Sequence, residues 1–216
     1  MSEAKPTQDD LLRRIADVGV RDERVMRAFR EVSRAGFVSP SHVPVAFRDE
    51  PLPIPHRQVT TQPSLVAKMV EALGLDGSEK VLEVGTGYGF QTAILAALAK
   101  FVWSIERWPD LADSARRNLA SHGSHNVKVM FGDGSSGLRE EAPFDAIIVA
   151  AAFPRVPGAL ADQLAEDGVL VQPLGWGGDE LVTRFSKRSG GLAREGFVTG
   201  AHFVRLRGRY GFAEDP

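Results

Sequence analysis

The chain has 216 residues, 43% hydrophobic and 25% charged, with a formal net charge of -2, the balance of an ordinary globule built on one α/β domain plus decoration. It contains no cysteine, which excludes disulfides, thiolate metal sites and cysteine nucleophiles. No long basic block is present, so electrostatics give nucleic-acid binding no support.

The opening MSEAKPTQDD is polar and acidic where a signal peptide has a basic start and an apolar stretch. The longest apolar run, AIIVAAAF at 146–153, is far below the roughly 20 residues of a membrane-spanning helix. A cytoplasmic chain with no membrane segment is the expectation. Leu11, Leu12, Ile15 and Val18 recur at helical spacing over 9–19, and Val25, Met26, Phe29 and Val32 repeat the pattern over 22–32 behind an Asp22 cap. Between 38 and 63, Pro40, Pro44, Pro51, Pro53, Pro55 and Pro63 forbid a long helix and predict an extended or irregular, functional segment. Pro63 then stands at the first turn of a helix whose apolar face is Leu65, Val66, Met69, Val70 and Leu73.

From residue 80 strand-like and helix-like pieces alternate: KVLEV, FQTAILAALAK, FVWSIE, PDLADSARRNLASH, NVKVMF, FDAIIVA and GVLVQPL. This predicts a mostly parallel sheet with helices on both faces. The tail, ELVTRFSKRSGGLAREGFVTGAHFVRLR, alternates, breaks at Gly190-Gly191 and alternates again, which predicts an antiparallel hairpin at the sheet's edge.

The stretch VLEVGTGYGFQ, 81–91, places three glycines after the first strand of this sheet. A dinucleotide fingerprint needs G-x-G-x-x-G, and Phe90 occupies the third position; a P-loop needs Gly-Lys-Ser/Thr, which is absent. What remains is E-x-G-x-G-x-G, with Glu83, Gly85, Gly87 and Gly89, a pattern suited to the sulfonium and amino-acid end of S-adenosylmethionine. Glu83 is placed to order the ammonium group, directly or through water, while the glycine backbones allow close approach. Glu106, at the end of the second strand, is placed for the ribose hydroxyls, and Asp133 with Gly134, after the third, for adenine. Trp108 reads equally as packing or as an adenine contact.

VLEVGTGYGFQTAILA, SIER, NVKVMFGDG, APFDAIIVAAA and LVQPLG, in this order and spacing, together with the upstream FVSP, LPI and TQP, resemble the protein-L-isoaspartate O-methyltransferase family from about Val25 to the end of the second hairpin strand. The resemblance implies a Rossmann-like class I methyltransferase fold with an N-terminal helical extension and S-adenosylmethionine as donor. It implies methylation of the free α-carboxylate of isoaspartyl residues in damaged proteins, after which the ester closes to a succinimide whose hydrolysis restores some aspartate. It also implies that the hydroxyl of Thr61, in VTTQP, lies beside the acceptor carboxylate; the other reading of Thr61 is a cap on the helix starting at Pro63. Val59, Thr60 and Gln62 would line the donor pocket with Gly85, Thr86, Gly87 and Arg107. Residues 1–62 would form the extension and acceptor-binding loop, and 63–216 the donor-binding domain, in a monomer that needs no metal.

The family's glycine-containing loop reads LPIPHRQVTTQP here, with Pro55, His56 and Arg57 in place of the flexible part. That stiffens the loop and leaves open whether the acceptor is any isoaspartyl protein or one dedicated peptide. His56 itself reads as a solvated or capping histidine, since a carboxylate nucleophile needs no general base. A non-catalytic donor-binding module is the rival of another class, and a nicotinamide oxidoreductase is disfavoured by Phe90.

Overall fold

The computed structural model describes residues 5–189 and 191–213; the first residues of the polar N-terminus and Gly190 of the expected hairpin turn lie outside the described residues. Two short helices open the chain, α1 (Gln8–Asp17) and α2 (Glu23–Glu31). Each starts where a side chain satisfies free backbone donors: the Thr7 hydroxyl accepts from Asp10 N at 3.2 Å, and Asp22 accepts from Arg24 N at 2.7 Å. Their apolar faces, Leu11, Leu12 and Ile15 on α1 and Val25, Ala28 and Phe29 on α2, are buried, whereas Val18 lies past the end of α1 and is exposed.

The proline-rich segment is irregular but compact. Two 3-10 turns, Arg34–Phe37 and Pro40–Val45, lead into a small antiparallel hairpin of β1 (Leu52–Ile54) and β2 (Gln58–Thr60). Its turn places His56 and Arg57 at φ of 61° and 56°, a left-handed pair that closes with Gln58 N donating to Pro55 O at 3.2 Å. Helix α3 (Pro63–Glu71) follows directly.

The main sheet contains β3 (Lys80–Val84), β4 (Phe101–Glu106), β5 (Val127–Phe131), β6 (Phe144–Val149), β7 (Leu164–Leu174), β8 (Glu180–Arg188) and β9 (Gly191–Ala201), in the order β5-β4-β3-β6-β7-β8-β9. The first five strands in that order run parallel, and β8 and β9 add the antiparallel edge that the tail's alternation predicts. Successive strand residues enter different cores. Val81, Val102, Ala146 and Ile148 pack with α1 to α3, α4 (Phe90–Leu98) and α5 (Pro109–His122), while Leu82, Trp103, Ile105, Ile147 and Val149 pack on the other face with α6 (Gly158–Gln163). The chain runs from β3 outward through β4 and β5, then returns to β6 on the other side of β3. That reversal opens a crevice at the carboxyl ends of the central strands.

Beyond Ala201 the chain leaves the sheet, although its alternation continues to Arg207. The Glu180 carboxylate accepts from Phe203 N at 2.8 Å and turns the chain, and Val204 and Leu206 then pair with Ala152, past the tip of β6. Residues 203–207 therefore run across the strand ends instead of extending the hairpin.

Candidate active site

The glycine turn after β3 holds Gly85 at φ +98°, where a Cβ would stand 3.3 Å from Ala150 Cβ; a side chain here would be strained and crowded at once. Gly134, after β5, packs so closely on β3 that a Cβ would meet Val84 Cγ1 at 2.5 Å. Between these points lies a cavity lined by Val59, Thr60, Thr61, Gly85, Thr86, Gly87, Glu106, Arg107 and Gly134 from the expected set, joined by Ile54, Gln58, Tyr88, Gln91, Ala150 and residues 204–207. Among the described residues no group of His, Asp and Glu is arranged to hold a metal ion.

A second cavity, lined by Val18, Gln62, Ser64, Leu65, Lys68 and residues 179–181 and 199–204, opens beside the first, and Val59, Thr61, Ala150 and Val204 belong to both. Thr61 thus stands at the junction. It does not cap α3: the helix begins behind Gln62, whose side chain forms no cap, and Asp49 supplies the acceptor for Ser64 N at 2.8 Å and for Gln62 Nε2 at 2.9 Å.

The three acids occupy different positions. Glu106 lines the first cavity, with one carboxylate oxygen accepting from Gly87 N at 2.8 Å and the other from Trp108 N at 3.0 Å. Burial raises its pKa, and these backbone hydrogen bonds oppose the rise. Glu83 is fully buried and does not line the cavity. Its Oε1 accepts from Gln91 Nε2 at 2.9 Å, and its Oε2 from the hydroxyls of Thr92 and Ser104, each at 2.5 Å. Burial pushes its pKa up to about 7 against these three donors. Asp133 does not line the cavity either: its carboxylate accepts from Ser135 N at 2.9 Å and Arg209 N at 2.7 Å, fastening the C-terminal segment across the strand ends. Burial works against its ionisation, but these bonds outweigh it and leave the pKa below the usual range.

Three further residues have roles that local sequence patterns do not disclose. Arg34 is 1% exposed, and its guanidinium donates to the carbonyls of Ala46, Arg48, Glu50 and Thr61 and to the Thr60 hydroxyl. His56 is neither free in solvent nor a helix cap. Its ring stacks on Trp108 with centroids 4.0 Å apart and planes 6° from parallel, and its Nε2 donates to Asp110 at 2.8 Å. The hairpin that covers the cavity is thereby fastened to the first turn of α5. Gln91, 7% exposed on the cavity wall, keeps Oε1 without a partner.

The sequence model described as protein-L-isoaspartate(D-aspartate) O-methyltransferase matches residues 6–211. A protein-L-isoaspartate O-methyltransferase from Geobacter metallireducens is 48% identical over 198 residues, 91% of this chain and 91% of that protein. One from Anaeromyxobacter dehalogenans is 51% identical over 176 residues, covering 81% and 84%. A solved protein-L-isoaspartate O-methyltransferase superposes with a TM-score of 0.85 at 27% identity, covering 95% of this chain and 67% of that one. A second, from Plasmodium falciparum, determined with S-adenosyl-L-homocysteine, has the same fold, with a TM-score of 0.79 at 23% identity over 94% of this chain and 99% of its own. Glycine turn, paired cavities and sheet order thus come together with an almost full-length match, and the chain belongs to the protein-L-isoaspartate(D-aspartate) O-methyltransferase family.

Proposed function

We propose that the chain methylates the free α-carboxylate of L-isoaspartyl residues in damaged proteins and peptides, holding S-adenosylmethionine in the first cavity and the acceptor in the second. The observation that carries this reading is the meeting of the two cavities at Thr61. When bound, S-adenosylmethionine supplies an electrophilic methyl group on a sulfonium, the group transferred to the carboxylate.

The residues present fit that donor. Glu106 is held by backbone donors at the β4 tip and keeps lone pairs for ribose hydroxyls; Gly134, packed on Val84, lines the cavity after β5; the unpartnered Gln91 Oε1 is a buried acceptor on the cavity wall. No base is needed, because the acceptor carboxylate is already ionised near neutral pH. The chain's contribution is alignment and exclusion of water. Thr61 offers a hydroxyl to the acceptor carboxylate, and the β1–β2 hairpin, fastened through His56, roofs the donor side. On this reading residues 1–62 form the acceptor side and 63–216 the donor domain of a cytoplasmic monomer that requires neither nucleic acid nor membrane. Among the described residues no helix is long and apolar enough to cross a membrane.

One observation favours a narrower acceptor range. The left-handed His56-Arg57 turn is pinned to α5, so the hairpin beside the second cavity has less freedom than a glycine loop would have. Incubation with the donor and an isoaspartyl peptide, beside its aspartyl isomer, tests the function. Base-labile methyl ester on the isoaspartyl peptide alone is expected; no ester on isoaspartyl peptides of varied flanking sequence would reject the general repair role.

A further inference from the structure

Gln91 is the second residue of α4, directly after the glycine turn, and it is more than nine-tenths buried on the wall of the donor cavity. Its amide has one settled end. Nε2 donates to Glu83 Oε1 at 2.9 Å, and Glu83 is fixed in turn by Thr92 and Ser104, with Thr86 donating to Ser104 at 2.5 Å. Ionised, above about pH 7, a Glu83 carboxylate that already accepts from two hydroxyls sets which end of the amide faces it, because only the NH2 end donates. The other end, Oε1, is then an acceptor with no donor, and a buried carbonyl left in that state is costly until a ligand satisfies it.

The donor molecule carries few groups that could do so. On the reading above its ribose hydroxyls have Glu106 at the tip of β4, which also accepts from Gly87 N, and its adenine has Gly134 after β5. The remaining donor is the α-ammonium of the amino-acid end, and Gln91 is the only one of these groups backed by a buried acid at the β3 tip. We infer that the Gln91 carbonyl is the contact that recognises the α-ammonium of S-adenosylmethionine, and that Glu83 acts through it as a positioning residue. The inference rests on the donor cavity proposed above and names its specificity-determining side chain. An amide carbonyl placed before a buried acid selects a cationic hydrogen-bond donor and gives no comparable gain to a ligand lacking one.

The test is calorimetric titration of the full chain with S-adenosylhomocysteine and with its analogue lacking the α-amino group. Wild type is expected to bind the first at least about tenfold more tightly. Gln91→Leu should lose most of that preference by weakening S-adenosylhomocysteine while leaving the analogue within about twofold. Gln91→Met carries the same comparison if the leucine variant does not give the native circular dichroism spectrum. An equal loss for both ligands would make Gln91 a purely structural residue and overturn the inference, as would a preference that survives the substitution. Failure of wild type to bind S-adenosylhomocysteine at all would instead bring down the cofactor reading, and the inference with it.

Discussion

Arg34 Nη2 lies 2.7 Å from the Thr60 hydroxyl and 3.3 Å from the Thr61 carbonyl, so a guanidinium from the N-terminal extension fixes the segment shared by the two cavities. Burial lowers its pKa to about 10, with Asp49 and Glu50 opposing the fall, and it stays charged at neutral pH. Arg34→Met would leave several buried carbonyls without a donor. Urea unfolding should show a loss of roughly 2–4 kcal/mol, and kcat/KM for the acceptor should fall more than donor affinity. Arg34→Lys should recover part of both. Wild-type stability in Arg34→Met would show that the guanidinium is not needed to hold the loop.

His56 joins elements far apart in sequence, and its replacement separates two opposing effects. His56→Gly removes the stack on Trp108 and the bond to Asp110, but it also relieves a left-handed backbone that glycine adopts freely. An exposed ion pair contributes little, so net stability should change by less than about 1 kcal/mol. Hydrogen bonding from His56 holds the Asp110 carboxyl below its usual range, which keeps the pair's anion charged through mildly acidic pH. The effect should appear in exchange kinetics: stopped-flow Trp fluorescence is expected to show S-adenosylhomocysteine leaving the variant several-fold faster. Unchanged dissociation would mean that the hairpin does not gate the donor.

Glu83 gives the fold a defined pH dependence. Burial raises its pKa from 4.5 to about 7, so between those values the native state holds a proton that the unfolded chain releases. Its stabilising contribution is complete below pH 4.5 and is lost as the pH rises through 7, a change of about 3 kcal/mol at about 1.4 kcal/mol per unit. Unfolding midpoints of wild type and Glu83→Gln across this window should therefore converge or cross in favour of the variant as the pH rises. Two parallel curves would show that Glu83 keeps the same charge throughout.

Strand tips, the parallel run and the edge hairpin follow from apolar runs, period-two alternation and helical spacing, because both faces of a parallel sheet must be apolar and glycine must stand where the chain turns with positive φ; the order of the strands does not. Glu106 follows from the same pattern, as the last residue of a strand, whereas Thr61 is singled out by the family resemblance and not by any periodicity. What local patterns cannot show is which way an acid faces once long-range partners compete for it. Glu83 meets Ser104 and Gln91 from two other elements, and Asp133 meets Arg209, 76 residues away. Arg34 stayed hidden because a lone arginine after an amphipathic helix reads as solvent-facing; only the fold of the proline-rich segment surrounds it with carbonyls. The small helix α6 has too short an apolar face to register.

The central claim is that donor and acceptor occupy separate cavities that meet at the Thr61 hydroxyl, and the most direct test is a paired measurement on Thr61→Val and Thr61→Ser. S-adenosylhomocysteine affinity by calorimetry should stay within about threefold of wild type in both, while kcat with an isoaspartyl peptide falls about tenfold or more in the valine variant and is largely kept in the serine variant. A valine variant with full turnover would contradict the account, as would one whose chief loss is in donor binding.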